Sequence, residues 1–305
     1  MVEILLAVYN GEDFLKEQID SILNQSYLDW RLTIYDDGST DSSSLIISSY
    51  IEKYKEKIKY IKSVKNSKSA KEAFSKLINY STGEYVFFCD HDDVWEKDKI
   101  KISMQAMKKF EKRHDIPILI HTDLFVVDEK LNLIDSSFFK RQSFKLKEKS
   151  FKKLLVQNNI TGCSVLVNRE LLKICNEIPK EAVMHDWWLG LVAACFGEIH
   201  FLKDKTVFYR QHKKNCVGAK KIKSLKYILN RILNRKDLEK NKADSYRQAE
   251  IFLKKYRNII SKKNIKILES YIKLKEYKKL KKIFFLLYGG FLKDGLTRKI
   301  GQFFI

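Results

Sequence analysis

The sequence contains little proline and glycine, and it has no apolar run long enough to cross a membrane. Among its 305 residues, 2 are proline and 11 are glycine, whereas 45% are hydrophobic. A disordered or linker-rich chain shows the opposite balance, so these counts predict a folded protein with few long loops. A membrane-spanning helix needs about 20 consecutive apolar residues. The longest candidates, residues 187–197 and residues 283–292, are shorter than that.

Paired cysteine motifs are missing as well. The five cysteines stand 12 to 74 residues apart without a C-x-x-C motif, and four of them lie within apolar runs. This spacing predicts reduced, buried thiols rather than a disulfide framework. Reduced thiols are typical of a cytoplasmic protein, which is what we expect here. The first ten residues lack the basic segment and the cleavage site of a signal peptide, so their apolar stretch is predicted to be a strand.

The formal net charge of +21 belongs almost entirely to the C-terminal part of the chain. Residues 216–305 carry 25 Lys and Arg against 7 Asp and Glu, whereas residues 1–215 carry 34 against 31. A charge excess confined to one region predicts an acidic partner, for which nucleic acid and anionic lipid are the two general candidates.

The first 120 residues alternate strand-like and helix-like segments. The apolar, β-rich runs and the helical patterns that follow them occupy residues 2–9 and 12–24, 30–35 and 42–54, 58–64 and 70–80, and 85–89 and 97–110. Repeated units of this kind predict a parallel sheet with right-handed crossovers, in which ligands bind beyond the carboxyl ends of the strands.

The rest of the chain divides near residue 218. Strand-like segments at residues 118–127, 161–168, 198–201 and 206–211 are interleaved with short helices, which indicates the second half of the same domain. Helical patterns follow at residues 222–233, 240–257 and 264–287. We therefore predict an α/β domain over residues 1–218 and a basic helical extension over residues 219–305, facing a membrane or a protein partner.

An acidic turn, Asp90-His91-Asp92-Asp93, follows the apolar segment at residues 85–89. Three carboxylates at the end of a buried strand repel one another, and Mg²⁺ or Mn²⁺ would balance their charge. A cation there could bridge the oxygens of a diphosphate and neutralise charge on the leaving group. The alternative is a turn whose aspartates cap the following helix.

A second acidic turn, at residues 36–41, ends an earlier strand-like segment. The carboxylate of Asp37 could accept the N3 hydrogen of uracil or thymine, whereas cytosine presents an acceptor at that position. Tyr9, at the end of the first strand, could stack on the base. The alternative is an ordinary turn before a capped helix.

The sequence His185-Asp186-Trp187-Trp188 opens an apolar helical segment. Partial desolvation of Asp186 by the indoles favours its protonated form and makes it a stronger general base, although the helix N-terminus acts in the opposite direction. Asp186 as a plain helix cap is the alternative. Further along, Arg210 and His212 alternate on a strand-like segment, where one could meet a diphosphate or its metal, or both could be solvated.

Taken in order, six motifs resemble the family 2 inverting glycosyltransferases, and among them the rhamnosyltransferase-type enzymes of bacterial polysaccharide assembly. The motifs lie at residues 8–11, 36–41, 83–95, 161–163, 185–188 and 209–212. The resemblance covers residues 1 to about 218. It implies a GT-A fold, which is a Rossmann-like, mostly parallel sheet flanked by helices.

The resemblance also implies a reaction and its cofactors. A dTDP- or UDP-linked sugar is the implied donor, a divalent Mn or Mg ion is the implied metal, and the mechanism is a single displacement. Asp186 matches the base that deprotonates the acceptor hydroxyl. Asp92 matches the metal-binding aspartate, Asp90 begins the D-x-D motif, and His212 matches the histidine that approaches the diphosphate or the metal.

Three further positions match donor contacts of that family. Tyr9 and Asp37 stand where the base is held, and Lys71 stands at a phosphate contact. The segment at residues 68–74 lacks the Gly and Asn that often surround that lysine, and Val8 stands where many members have Thr.

The implied acceptor is a hydroxyl of a growing cell-surface glycan on a polyprenyl diphosphate, which places the protein at the cytoplasmic face of the inner membrane. Rhamnose is the sugar that the resemblance suggests, and a UDP-hexose or UDP-N-acetylhexosamine donor is the alternative. A basic nucleic-acid-binding protein is a further alternative, but no zinc finger, helix-turn-helix or RNA-binding motif accompanies the lysines, so we expect no nucleic-acid partner. An inactive scaffold is disfavoured by Asp37, Asp92 and Asp186. The oligomeric state is left open.

Overall fold

The computed structural model describes residues 1–112, 115–145, 150–213 and 235–303. Within these ranges the chain forms one nine-stranded sheet covered by helices. The strands are β1 (Val2–Val8), β2 (Trp30–Asp36), β3 (Ile58–Lys62), β4 (Tyr85–Asp90), β5 (Val94–Trp95), β6 (Ile118–Val127), β7 (Leu133–Asp135), β8 (Val165–Asn168) and β9 (Glu198–Arg210).

Twelve α-helices are present in the described ranges. They are α1 (Leu15–Leu23), α2 (Ser43–Lys53), α3 (Ala70–Tyr80), α4 (Lys99–Phe110), α5 (Phe138–Arg141), α6 (Phe151–Val156), α7 (Arg169–Cys175), α8 (His185–Phe196), α9 (Arg235–Tyr256), α10 (Lys262–Lys273), α11 (Lys279–Tyr288) and α12 (Leu296–Phe303). None of them combines the length and the apolar character that a membrane crossing requires.

The strand order is β3-β2-β1-β4-β8-β6-β9-β5, and β7 pairs with β6. The strands β3, β2, β1 and β4 are parallel, and β8 then runs antiparallel to both β4 and β6. In this register Val8 lies beside Asp36, and Ala7 lies beside Asp90. The carboxyl ends of β1, β2 and β4 therefore meet at one edge of the sheet, as the repeated strand and helix units predict.

Apolar side chains fill both faces of the sheet. Along β1, Leu5 packs into the cluster on one face, and Ile4 and Leu6 pack into the cluster on the other. This arrangement explains why the parallel strands read as continuous apolar runs rather than as alternating patterns. In α1, Leu15 and Ile19 are separated by one helical turn, and both are buried against the second cluster.

The C-terminal helices pack against the α/β domain. Phe252 and Tyr256 of α9 lie 5.3 and 6.1 Å, between ring centroids, from the fully buried Trp188 of α8. Leu274 and Leu286 join the same cluster. The extension is therefore continuous with the core, because apolar side chains from several of its helices pack into the same cluster as the domain.

The predicted GT-A-type α/β architecture is confirmed, and three local expectations are corrected. Residues 198–211 were expected to form two strands, but β9 is one long strand, since it pairs with β6 across register shifts. One helix was expected at residues 264–287, but the chain forms two helices, α10 and α11, with a break between them. After this break, Leu286 of α11 packs into the core. Residues 161–168 begin with a 3-10 turn at Gly162–Ser164 before β8.

The predicted domain boundary at residue 218 and the predicted helix at residues 222–233 lie outside the described residues, as does Cys216. The other four cysteines carry free thiols, three of them buried, which confirms the expectation of reduced cysteines for those positions.

Candidate active site

Hydrogen bonds between loops bring the polar ends of β1 and β2 together. Asp37 donates its backbone N–H to the carbonyl of Val8 at 2.8 Å, and the Asn10 N–H donates to Ser39 Oγ at 3.0 Å. The loop after β1 also contacts the loop after β4, because a Cβ on Gly11 would stand 2.5 Å from the ring of His91. The three polar strand ends therefore lie together at one site, here called the crevice, and glycine is required where the loops touch.

Asp37 is buried in this crevice beside Ser67. Its two carboxylate oxygens accept the Ser67 backbone N–H at 3.1 and 3.0 Å, and Oδ2 also accepts the Ser67 hydroxyl at 2.6 Å. A carboxylate offers about four acceptor positions, so Oδ1 can still accept one more hydrogen. Tyr9 is exposed at the end of β1. Both residues thus keep the groups that base binding requires.

Lys71, in the first turn of α3, contacts a different part of the chain. Its ammonium donates to the carbonyl of Ala182 at 2.9 Å and to the carbonyl of Lys180. These carbonyls belong to the loop that leads into α8, so Lys71 fixes the approach to Asp186. The predicted phosphate contact would have to use the third ammonium proton.

The acidic turn after β4 is joined to the end of β9. His212 Nε2 lies 2.8 Å from Asp92 Oδ2, and both side chains are mostly buried. Burial alone would raise the pKa of Asp92, but the hydrogen bond from His212 and the charges of His91 and His212 lower it below its usual value. Asp92 is therefore held as a carboxylate, which is the form that binds a cation.

Asp90 and Asp186 lie close enough for their charges to interact. Burial, together with the charges of Asp92 and Asp186, raises the pKa of Asp90 to about 8. Without a cation, the residues of the crevice thus favour a proton on Asp90 over a further negative charge. Two carboxylates and an imidazole, from Asp90, Asp92 and His212, suit Mn²⁺ or Mg²⁺, and a bound cation would relieve the repulsion.

A second acidic cluster lies beneath the turn. The ligand atoms of Asp90, Asp93 and Cys163 are within 4.8 Å of one another. Asp93 and Cys163 are sealed from solvent, and burial raises the pKa of both groups well above its usual range. Because Asp93 and Cys163 are closed off from solvent, a donor diphosphate could not reach a cation held between them, and Asp92 with Asp90 is the better candidate for a cation site.

Lys99 is a buried positive charge close enough to interact with Asp93 and Cys163. It is fully buried, its ammonium lies 4.8 Å from the centroid of the Trp95 ring, and it contacts Thr206 Oγ1 at 3.4 Å. Burial lowers the pKa of Lys99 to about 8, although the charges of Cys163, Cys89 and Asp93 raise it. Lys99 thus places a buried positive charge behind the acidic turn.

Asp186 lies in the first turn of α8, where three groups donate hydrogen bonds to its carboxylate. Oδ1 accepts the Asn158 amide at 3.0 Å and the Trp187 N–H at 2.5 Å, and the backbone of Gly162 contributes a third bond. Burial raises the pKa of Asp186 to about 7, against the lowering effect of these bonds. A carboxylate with a pKa near 7 is suited to accept a proton at neutral pH.

His185, the neighbour of Asp186 in α8, is buried as a neutral ring. It lies 4.1 Å from the ring of Phe74 between centroids, and burial lowers its pKa to about 3. In the part of the chain that the structure describes, neither ring nitrogen has a hydrogen-bond partner. A Cβ on Gly162 would stand 2.7 Å from His185 Nε2, so glycine is needed at that position.

Arg210 supports the acidic turn from below. It is almost fully buried, its backbone N–H donates to Asp93 Oδ1 at 3.0 Å, and its Nε donates to the Asp92 carbonyl at 2.9 Å. The other guanidinium nitrogens contact the Glu129 carbonyl and the carboxylate of Glu17. Of the two residues predicted to alternate along the strand, His212 reaches the predicted metal ligand and Arg210 fixes the turn.

Three residues at the site were missed from the sequence: Ser67, Lys99 and Asn158. Ser67 lies in a polar loop 30 positions from Asp37, and Asn158 lies 28 positions from Asp186. Lys99 stands among other lysines, and no feature of the sequence distinguishes it as the buried one. These contacts depend on how loops meet in three dimensions, so spacing along the chain gives no signal for them.

Solved structures with the same fold include glycosyltransferases. The chain superposes on a crystal structure of TarS from S. aureus in complex with UDP, with a TM-score of 0.57 and 15% identity over 94% of this chain and 74% of that one. It also superposes on a mannosyltransferase from Pyrobaculum calidifontis in complex with GDP-Man and Mn²⁺, with a TM-score of 0.54 and 14% identity over 95% and 72% of the two chains. Both similarities indicate the GT-A fold.

Sequence comparison identifies a relative and the family of the chain. The dTDP-rhamnosyl transferase RfbG of Shigella flexneri is 28% identical over 225 residues, which cover 70% of this chain and 74% of that protein. The profile of glycosyl transferase family 2 matches residues 3–174. Since the matched residues make up more than half of the chain, and since the fold and the crevice agree with it, the protein belongs to glycosyl transferase family 2.

Proposed function

We propose that this glycosyltransferase moves a sugar from a dTDP- or UDP-linked donor to a hydroxyl of a cell-surface glycan, with inversion at the sugar carbon. The observation that carries the proposal is the position of Asp186, a buried carboxylate with a raised pKa beside the acidic turn of the crevice. Rhamnose is the proposed sugar because of the Shigella relative, and a UDP-hexose or UDP-N-acetylhexosamine is the alternative because of the TarS complex.

The chemical step is a direct displacement. Asp186 takes the proton of the acceptor hydroxyl while the hydroxyl oxygen forms a bond to C1 of the sugar. The bond from C1 to the diphosphate oxygen breaks, and its electron pair leaves with the nucleotide diphosphate. Hydrogen bonds from Asn158 and Trp187 orient the carboxylate, so little reorganisation is needed in the transition state.

The donor is held by the other walls of the crevice. Asp37 accepts from N3 of the base, Tyr9 stacks on the base, and Lys71 is proposed to approach the phosphates with its third proton. A divalent cation held by Asp92, Asp90 and His212 would supply Lewis-acid stabilisation of the leaving diphosphate. Because Arg210 fixes the carbonyl of Asp92, the carboxylates keep their positions while the diphosphate departs.

We further propose that the acceptor is linked to a polyprenyl diphosphate and that the protein acts at the cytoplasmic face of the inner membrane. The support is the basic C-terminal region, in which residues 216–305 carry 25 Lys and Arg against 7 Asp and Glu. Basic surfaces bind anionic lipid, and each lysine near such a surface contributes about 1 kcal/mol.

Base selectivity tests the donor assignment. Calorimetry with UDP, dTDP, CDP and GDP in the presence of Mn²⁺ should show that UDP or dTDP binds at least about tenfold more tightly than CDP. A tenfold difference in affinity corresponds to about 1.4 kcal/mol, which is the contribution expected of one hydrogen bond. In Asp37→Asn this preference should shrink, because an amide can donate to N3 of cytosine as well as accept. Equal affinity for CDP in the wild type would contradict the assigned contact.

A further inference from the structure

The helix α11 exposes an apolar stripe instead of burying it. Leu280, Phe284, Leu287 and Tyr288 are 84%, 53%, 48% and 78% exposed, and their spacing of i, i+4, i+7 and i+8 puts them on one side of the helix. Leu286, on the opposite side, is buried in the core. The helix is anchored by one face and presents a second apolar face outward. Four such residues together form a patch of the kind that marks an interaction surface.

The segment that carries this stripe is strongly basic. Between residues 277 and 293 the chain carries five lysines and no acidic residue. The ammonium of Lys281 lies 4.3 Å from the centroid of the Tyr277 ring, which places a charge beside the stripe. A second copy of the chain would bring the same positive charge to the same face, so pairing of two such faces is opposed by repulsion. An anionic surface is electrostatically complementary.

We propose that Leu280, Phe284, Leu287 and Tyr288, the α11 stripe, insert into an anionic lipid surface with the neighbouring lysines at the level of the headgroups. The inference rests on the membrane association proposed above and names the α11 stripe as the surface that contacts the lipid. Interfacial helices bind by burying an apolar face at the headgroup boundary while lysines meet anionic lipid. Single-stranded nucleic acid would use the aromatic rings but would give Leu280 and Leu287 no partner.

Vesicle co-sedimentation of the full chain tests this surface. The test variant is the triple substitution Leu280→Ser, Phe284→Ser, Tyr288→Ser, and the matched control replaces three similarly exposed residues of the α/β domain, Leu28→Ser, Leu45→Ser, Val64→Ser. With vesicles of equal parts phosphatidylcholine and phosphatidylglycerol, the test variant should lose about tenfold or more of its partitioning, and the control should bind like the wild type. Circular dichroism verifies that both variants are folded.

Charge-reversal variants and added salt provide a second, independent test of the lipid assignment. Lys278→Glu with Lys281→Glu should weaken binding to the same vesicles, added salt should weaken wild-type binding, and vesicles of phosphatidylcholine alone should bind little. Undiminished vesicle binding by the triple variant, or an equal loss in the control, would overturn the assignment.

Other occupants of the stripe give distinct results. Concentration-dependent self-association that disappears in the triple variant without a change in vesicle binding would identify a second copy and refute the lipid assignment. Loss of oligonucleotide binding alone would refute it as well. Nucleotide diphosphate release from a soluble donor should be unchanged in the triple variant, so a protein that binds vesicles but releases no nucleotide would contradict the proposed function and leave this surface intact.

Discussion

Replacement of Arg210 by methionine should destabilise the protein by about 3 kcal/mol. The side chain is 1% exposed and donates to the carbonyls of Asp92 and Glu129, and each such bond from a charged donor contributes about 1.5 to 3 kcal/mol. Methionine retains most of the volume but leaves both carbonyls without this donor. Removal of the buried charge also removes its desolvation cost, which offsets part of this loss and leaves a net destabilisation of about 3 kcal/mol.

The ion pair of Arg210 with Glu17 should contribute little to that value. The side chain of Glu17 is 55% exposed, so its carboxylate is hydrated when the pair is broken, and exposed pairs contribute about 1 kcal/mol or less. Glu17→Gln is therefore the matched control. Urea unfolding measures both variants, and turnover should also fall in Arg210→Met because the acidic turn loses its support. A loss below about 1 kcal/mol in Arg210→Met, or an equal loss in Glu17→Gln, would refute this account of the turn.

Three further predictions concern the crevice. Asp92→Asn should keep its fold but lose most of its Mn²⁺ affinity in calorimetry, and wild-type turnover should stop in excess EDTA; full activity in EDTA would contradict a metal role. Wild-type turnover should rise with pH, with a midpoint near 7 and a plateau above about 8, since Asp186 acts only when deprotonated and its raised pKa sets the midpoint; a rate independent of pH from 5 to 8 would exclude this base. Lys99→Met should leave the free energy of unfolding unchanged or raise it, because methionine fills similar space without the desolvation cost of a buried ammonium, whose contact with Thr206 Oγ1 is 3.4 Å long; a loss of about 3 kcal/mol in urea unfolding would show that the charge is needed.

The architecture was predictable from the alternation of apolar strand patterns and amphipathic helix patterns in the sequence. The four strand and helix units of the first 110 residues are present, and α3 and β6 have the predicted bounds. Their polar ends converge because parallel strands place their carboxyl ends at one edge, a rule that requires no knowledge of side-chain contacts. The break between α10 and α11 was not predictable, since lysines and apolar residues continue at helical spacing across it.

The site was predictable only where its residues follow a strand or open a helix. Asp37, Asp92 and Asp186 stand at such points, and the structure places them around one crevice. Ser67 and Asn158, which hydrogen-bond two of these carboxylates, lie in loops whose positions depend on long-range packing. Their sequence surroundings resemble any polar loop, so a single chain gives no reason to choose them.

The central claim is that Asp186 drives sugar transfer from a nucleotide diphosphate held in this crevice. Release of nucleotide diphosphate from dTDP-rhamnose and the common UDP-sugars, with water or an added glycan as the hydroxyl acceptor, is measured with Mn²⁺ for the wild type and for Asp186→Asn and tests it most directly. We expect one donor to be turned over by the wild type at a rate about 100-fold or more above that of Asp186→Asn, whose affinity for the donor should be retained. Release at equal rates by the two proteins, or no release from any of these donors, would contradict the claim.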